Sequence, residues 1–346
     1  MSVYLTGLGM AVPPHVLPQT LAEDTARRLL GPRYSQFERL APSFATSGVK
    51  TRYSVVPIDW FTHDKGWTER TAAYAKGATE LFISAATAAL DDAGLRADQV
   101  DTVVTVSTTG IATPTLEARA FSRMGFRRNI QRVPVFGLGC AGGVSGLGIA
   151  QQLATAAPGS NVLMVAVEAC SVSFRTDRMQ KADIIATVLF GDGAAAAVLS
   201  TEGQGPRLGP ARQILWPDTL DIMGWDVDEV GLGVIFDRSI PDFVTNHLRE
   251  AALTALELSG LREAGISRFV CHPGGAKVVT AIENALSLRS ESLSEERAVL
   301  RDFGNMSAPT VLFVLKKVLE TPQKGQMILA ALGPGFTGAF MPLHVN

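Results

Sequence analysis

Strand-length apolar runs alternate with helix-period stretches along most of the chain, and that alternation restricts it to an α/β architecture. The strand candidates are Thr102–Val106, Arg132–Phe136, Asn161–Val167, Ala194–Leu199, Arg268–Cys271, Met327–Ala331 and Gly338–Met341. The helix candidates are Glu80–Ala93, Thr115–Met124, Ala141–Ala156, Asp242–Leu258, Lys277–Leu286, Ser294–Arg301 and Pro309–Leu319. Asp242 follows Pro241 at one helix start, and Ser294-Glu295-Glu296 opens another with acidic residues where the helix dipole favours them. Only 18% of the 346 residues are charged, against about 25% in an average soluble domain. That shortage predicts a deeply buried sheet with helices on both faces and some surface hidden against a partner subunit.

A chain of 346 residues suits two similar-sized halves. Phe190-Gly191-Asp192-Gly193 leads into one final apolar strand and Leu332-Gly333-Pro334-Gly335 into another, so the pattern recurs. The Gly- and Pro-rich stretch from Thr201 to Pro217 is the natural connector. Two pseudo-equivalent α/β halves, 1–205 and 206–346, are expected, with a site between them.

A formal net charge of -2 argues against nucleic acid or an acidic membrane as the main partner. The basic cluster from Arg119 to Arg132 reads as a solvated face. Cys140, Cys170 and Cys271 are odd in number and widely spaced, which fits neither a disulfide framework nor a metal site and suits a reducing cytoplasm. Met1 to Tyr4 do not begin a secretory signal. The apolar runs are strand-length, well short of the roughly 20 residues that span a bilayer. A soluble protein is expected.

The segment Gly137-Leu-Gly139-Cys140-Ala-Gly142-Gly143 has two readings. It matches the dinucleotide fingerprint Gly-x-Gly-x-x-Gly, with Glu168 placed where an acid could meet a ribose, which would make the chain an NAD-binding oxidoreductase. Nothing in cofactor binding calls for sulfur inside that fingerprint, however. A thiol at a helix start feels the positive end of the dipole, which favours the thiolate nucleophile. Glycines around it let a substrate approach and leave N–H groups for an oxyanion.

His272 directly follows the apolar run Phe269-Val270-Cys271 and precedes Pro273-Gly274-Gly275. A strand ending in His before so sharp a turn presents the imidazole at the sheet's end, where ligands of α/β folds bind. Asn305 lies in Gly304-Asn305-Met306-Ser307, just ahead of the last helix candidate; taken alone it reads as a cap or turn residue.

Together these segments resemble the chalcone synthase-like, or type III, polyketide synthases. The resemblance is carried by Gly139-Cys140-Ala141-Gly142-Gly143, Phe190-Gly191-Asp192-Gly193, His272-Pro273-Gly274-Gly275, Gly304-Asn305-Met306-Ser307 and Gly333-Pro334-Gly335. It runs from about Ser47 to the C-terminus. It implies the thiolase-like fold, in αβαβα layers, and a condensing acyltransferase that needs no metal or organic cofactor. By the same resemblance Cys140 would hold the acyl group, and His272 and Asn305 would stabilise the enolate formed when malonyl-CoA loses CO2.

Phe190 and Phe236 would form an aromatic gate between a CoA tunnel and a cavity. Ser173 would line that cavity, Thr113 would reach into the partner subunit of a homodimer, and Gly274 and Gly275 would border the substrate. Lys50 and Arg52, read as a surface turn, would meet CoA phosphates. Gly224-Trp225-Asp226-Val227 is more similar to bacterial alkylpyrone and alkylresorcinol synthases than to plant enzymes, implying a fatty acyl-CoA starter and pyrone or resorcinol products. A 3-oxoacyl-carrier-protein synthase III-like enzyme and a simple acyltransferase are the alternatives within the class.

Overall fold

The computed structural model describes residues 1–178 and 180–346. Its main sheet has ten strands. The order is Ile266–Cys271, Gly325–Gly333, Thr337–Val345, Arg207–Leu208, Val3–Ala11, Asp192–Ser200, Val162–Ala169, Thr102–Val106 and Gln131–Val135, with Arg212–Leu215 paired to Thr337–Val345. Arg207–Leu208 pairs antiparallel with Val3–Ala11 on one side and Thr337–Val345 on the other, which joins the two half-sheets. The stretch from Thr201 to Pro217 is therefore a structural joint as well as a connector.

Two helices, Gly142–Ala156 and Thr310–Leu319, lie between the half-sheets, in one core that takes Val104, Val162 and Ala195 from the first half and Val270, Leu329 and Met341 from the second. Trp67–Ala93 covers the outer face of the first half, and Ile240–Glu257 with Ala276–Ala285 covers that of the second. The layers are thus helix, sheet, helix, sheet, helix: the thiolase-like arrangement. Close approach of the middle helices depends on Gly143, where an added Cβ would lie 2.3 Å from the Ala308 carbonyl oxygen and 2.7 Å from Val311.

Strands buried on both faces read as unbroken apolar runs, so Thr102–Val106 is found with its expected bounds. Other expected elements shift or lengthen at their ends; Arg132–Phe136, for example, is Gln131–Val135. The first strand, Val3–Ala11, has no counterpart among the expected ones. Gly7 and Gly9 break its pattern, and both are dictated by the helix above: an added Cβ would lie 2.3 Å from the Ala89 carbonyl oxygen and 2.2 Å from the Ala89 nitrogen. The helix expected at Glu80 begins at Trp67. Gln19–Leu30 and Lys181–Leu189 are further helices without a sequence expectation.

Candidate active site

The two halves meet where the backbone at Phe190 bridges Asn305 in parallel. Asn305 donates its N–H to the Leu189 carbonyl at 2.9 Å and accepts from the Gly191 N–H at 3.0 Å. This crossing places the Asn305 side chain 4.0 Å, Oδ1 to Sγ, from Cys140. Its amide is fixed at both ends: Nδ2 donates to the Gly274 carbonyl at 3.1 Å and Oδ1 accepts the Ser307 N–H at 2.8 Å. The Oδ1 bond to the Ser307 N–H is an Asx-type turn, as a turn residue would make, and the backbone bridge to Phe190 is additional to it.

Ser307 is a site residue that sequence reasoning passed over. Its hydroxyl is 3.6 Å from Cys140 Sγ, and its φ of +60° is one that few non-glycine residues adopt. The available signal was its position two residues after Asn305.

Cys140 sits in a single 3₁₀ turn, Gly139–Ala141, that runs straight into the helix Gly142–Ala156. The helix start favours the thiolate, and burial works against it. Burial pushes the Cys140 thiol up to about 12, and the nearby Glu168 carboxylate pushes the same way; hydrogen bonds with Ser307 and Asn305 oppose them. Two of the surrounding glycines also have a packing role. An added Cβ would lie 2.5 Å from Pro334 at Gly139 and 2.7 Å from Val106 at Gly142. At these two positions they let protein segments pack tightly.

Glu168 meets no ribose. It is fully buried, and its Oε2 accepts the N–H groups of Thr108 and Thr109 at 3.0 Å each and the Thr109 hydroxyl at 2.7 Å. Thr108 in turn accepts the Gly139 N–H through its hydroxyl at 3.0 Å, which ties the carboxylate to the cysteine turn. Burial raises the Glu168 carboxyl to about 7.

His272 follows the strand Ile266–Cys271, as expected, and its N–H is held by the Ala330 carbonyl at 2.8 Å. The ring is buried, and neither nitrogen has a hydrogen-bond partner among the described residues. Burial lowers its pKa to about 3, so the ring is neutral. Buried polar atoms without partners are rare in folded proteins.

Phe190 and Phe236 meet edge to face, with centroids 6.4 Å apart. Phe236, Gly274 and Gly275 border a cleft of about 500 Å³ with Arg39, Lys181, Arg238 and Lys277 on its walls. Phe190 and Ser173 line a separate cavity of about 90 Å³, whose walls include Leu17, Ala22, Ala26, Ile58, Trp225 and Val234. The aromatic pair therefore stands between cleft and cavity.

Thr113 is exposed and lies apart from these groups. Lys50 is exposed beside Arg297 and Arg301 in a shallow depression. Arg52 does not belong to a surface turn: it is buried, and its guanidinium donates to the Thr187 carbonyl, to the Phe190 carbonyl at 3.1 Å and to Gln19 Oε1 at 2.5 Å. It anchors the segment behind Phe190 from the interior, and its Nε has no partner among the described residues.

A buried cysteine meets an asparagine whose amide holds Gly274, two residues past a buried strand-end histidine. Two family profiles match the chain, "Chalcone and stilbene synthases, N-terminal domain" over residues 2–203 and "C-terminal domain" over residues 207–343. The chain belongs to this family, and is a type III polyketide synthase. A 1,3,6,8-tetrahydroxynaphthalene synthase of Streptomyces peucetius subsp. caesius is 37% identical over 96% of this chain and 91% of its own length. The crystal structure of 1,3,6,8-tetrahydroxynaphthalene synthase from Streptomyces coelicolor A3(2) superposes with a TM-score of 0.92 at 28% identity, covering 99% of both chains. That of CsyB complexed with CoA-SH gives 0.92 at 26% identity over 100% of both chains. Among the described residues no helix is long and apolar enough to cross a membrane.

Proposed function

We propose that the protein transfers an acyl group from an acyl-CoA to Cys140 and extends it with malonyl-CoA by decarboxylative Claisen condensation, with Cys140, His272 and Asn305 as the catalytic residues. The supporting observation is the placement of Asn305, carried over from the second half to 4.0 Å from the Cys140 sulfur.

With the thiol raised to about 12 and the imidazole lowered to about 3, both groups rest neutral. Moving the thiol proton to His272 creates two opposite charges that stabilise each other in the buried site, where attraction is little screened. The thiolate attacks the thioester carbonyl, and CoA leaves with the electron pair of the broken C–S bond and takes the proton back from His272. Malonyl-CoA then breaks its bond to the carboxylate and releases CO2. The electron pair becomes an enolate, whose oxygen receives hydrogen bonds from His272 and the Asn305 amide. The enolate carbon attacks the acyl carbonyl, and the Cys140 thiolate departs.

The cleft bearing Arg39, Lys181, Arg238 and Lys277 suits the CoA arm and phosphates, and CoA-SH is bound in one solved relative. Passing between Phe190 and Phe236, the acyl group would enter the aliphatic cavity. The cavity is small, about 90 Å³. This favours a medium-chain fatty acyl starter over a long one, with pyrone or resorcinol products. A second reading, a polyhydroxylated naphthalene product with no alkyl chain, is favoured by the names of the Streptomyces relatives.

Ile111 and Phe136, 51% and 56% exposed, lie with Thr113 and the edge strand Gln131–Val135 on a surface suited to a homodimer, in which Thr113 would reach the partner's cavity. A cytoplasmic enzyme fits three free cysteines. Mass spectrometry of products from malonyl-CoA alone and with a panel of acyl-CoAs tests the whole reading. Alkylated products support the fatty acyl starter, products from malonyl-CoA alone support the second reading, and no product in any arm refutes both.

A further inference from the structure

The hairpin Met223–Val227 and Leu232–Phe236 pairs only with itself among the described residues and stands apart from the main sheet. It nevertheless supplies Trp225 and Val234 to the cavity wall and Phe236 to the aromatic pair. Its position therefore decides how much room lies beyond Phe190.

That position is held by arginines rising from the opposite wall. Arg175, only 4% exposed and two residues past Ser173, donates from Nη1 to both carboxylate oxygens of Asp228 at 2.7 Å. Its Nε donates to Asp177 at 2.9 Å, and Nη2 donates to the same carboxylate, so the guanidinium is fixed on both sides. Asp228 makes the turn as well: Oδ1 accepts the N–H groups of Val230 at 2.9 Å and Gly231 at 3.2 Å, and its carbonyl accepts Trp67 Nε1 at 2.8 Å.

A second arginine acts one residue pair along. Arg178 Nη1 reaches Asp226 at 3.1 Å and lies so close over Gly233 that a Cβ there would be 1.9 Å from it. A third, Arg70, donates to the carbonyls of Val172 and Phe174 and so stiffens the wall from which Arg175 projects, at 2.7 Å to Phe174. Asp177 is met by two guanidinium nitrogens, a pairing that fixes direction as well as distance and that a lysine would not make, which leaves Nη1 for Asp228.

We propose that the Arg175–Asp228 ion pair is a latch that seats this hairpin and so sets the length of acyl chain the cavity accepts. Arg175 and Asp228 are then positioning residues that govern specificity without touching the reacting atoms. The proposal rests on the reading of the cavity as the acyl site. With the latch closed, the cavity takes a medium chain; with it open, the hairpin keeps its own ladder and its contacts with Lys181–Leu189 but can move outward, adding room for further methylenes.

The test uses Asp228→Asn, which removes the charge yet keeps a side-chain oxygen to cap Val230 and Gly231. Two readouts are needed: amide hydrogen exchange over residues 223–236, and kcat/KM with malonyl-CoA across straight-chain acyl-CoAs of about four to sixteen carbons. Exchange in the hairpin should rise about tenfold or more. The optimum should move by about two to four carbons toward longer chains, each newly buried methylene being worth about fourfold in kcat/KM. Release of CO2 from malonyl-CoA alone should stay within about twofold of wild type.

Unchanged exchange overturns the latch whatever the activity shows. Raised exchange with an unmoved optimum, or with an equal loss at every chain length, overturns its role in specificity. If Asp228→Asn is insoluble, Arg178→Met frees the adjoining strand and is judged by the same outcomes. A wild-type protein that uses no acyl-CoA at all refutes the functional reading, and the chain-length role falls with it, while the exchange result still reports on the latch itself.

Discussion

Replacing Asn305 by Ala separates the catalytic use of this amide from its structural use. The substitution deletes the 3.1 Å bond to the Gly274 carbonyl and the 2.8 Å bond from the Ser307 N–H. Ser307 is buried and Gly274 half-buried, so each stranded group costs about 1–3 kcal/mol. The sum is about 2–6 kcal/mol of stability, less whatever the Gly274 carbonyl recovers from water. At about 2 °C per kcal/mol for a protein of this size, the melting temperature should drop by about 4–12 °C. Loss of one oxyanion donor should slow CO2 release from malonyl-CoA by about 10²–10³. Acyl loading of Cys140 should suffer far less, because in this reading the amide is needed at the enolate. Radiolabelled CO2 release, intact-protein mass after incubation with an acyl-CoA, and calorimetry measure the three quantities. A melting temperature lowered as expected together with CO2 release within about threefold of wild type would refute the catalytic role and leave Asn305 as a brace between halves.

Peptide mapping after incubation with an acyl-CoA should place the adduct on Cys140 and none on Cys170 or Cys271, whose thiols burial holds well above their ordinary range; label on Cys170 would displace the assignment. Glu168, raised to about 7 in the fold from a normal 4.5, keeps a proton that the unfolded chain gives up between those values, so its contribution to stability falls as pH rises through that window. Glu168→Gln should flatten this part of the dependence, which urea titrations at pH 5 and 7.5 would show; an unchanged slope would place the titration elsewhere. Phe136→Lys should shift sedimentation at micromolar concentration from dimer to monomer, and a variant that remains fully dimeric would exclude this surface as the interface.

The sequence alone determined the fold class and pointed to the side chains proposed here as catalytic. Strands buried on both faces leave unbroken apolar runs, and a nucleophile, a strand-end histidine and an asparagine turn leave local motifs; both kinds of signal survive without coordinates. Val3–Ala11 did not, because its two glycines answer to a helix some eighty residues away, and neither did the start of Trp67–Ala93. Arg52 reads as a surface residue until Gln19, Thr187 and Phe190 close around it. The opposing influences on the Cys140 thiol are hidden for the same reason: a helix start is visible in sequence, but the burial that works against it comes from segments far along the chain. Only the tertiary structure brings Asn305 against Cys140, sets Ser307 beside them, and latches the hairpin by Arg175. Each of these depends on contacts between residues 50 to 170 positions apart, whose free energy is decided by desolvation and packing, and neither leaves a trace in local periodicity.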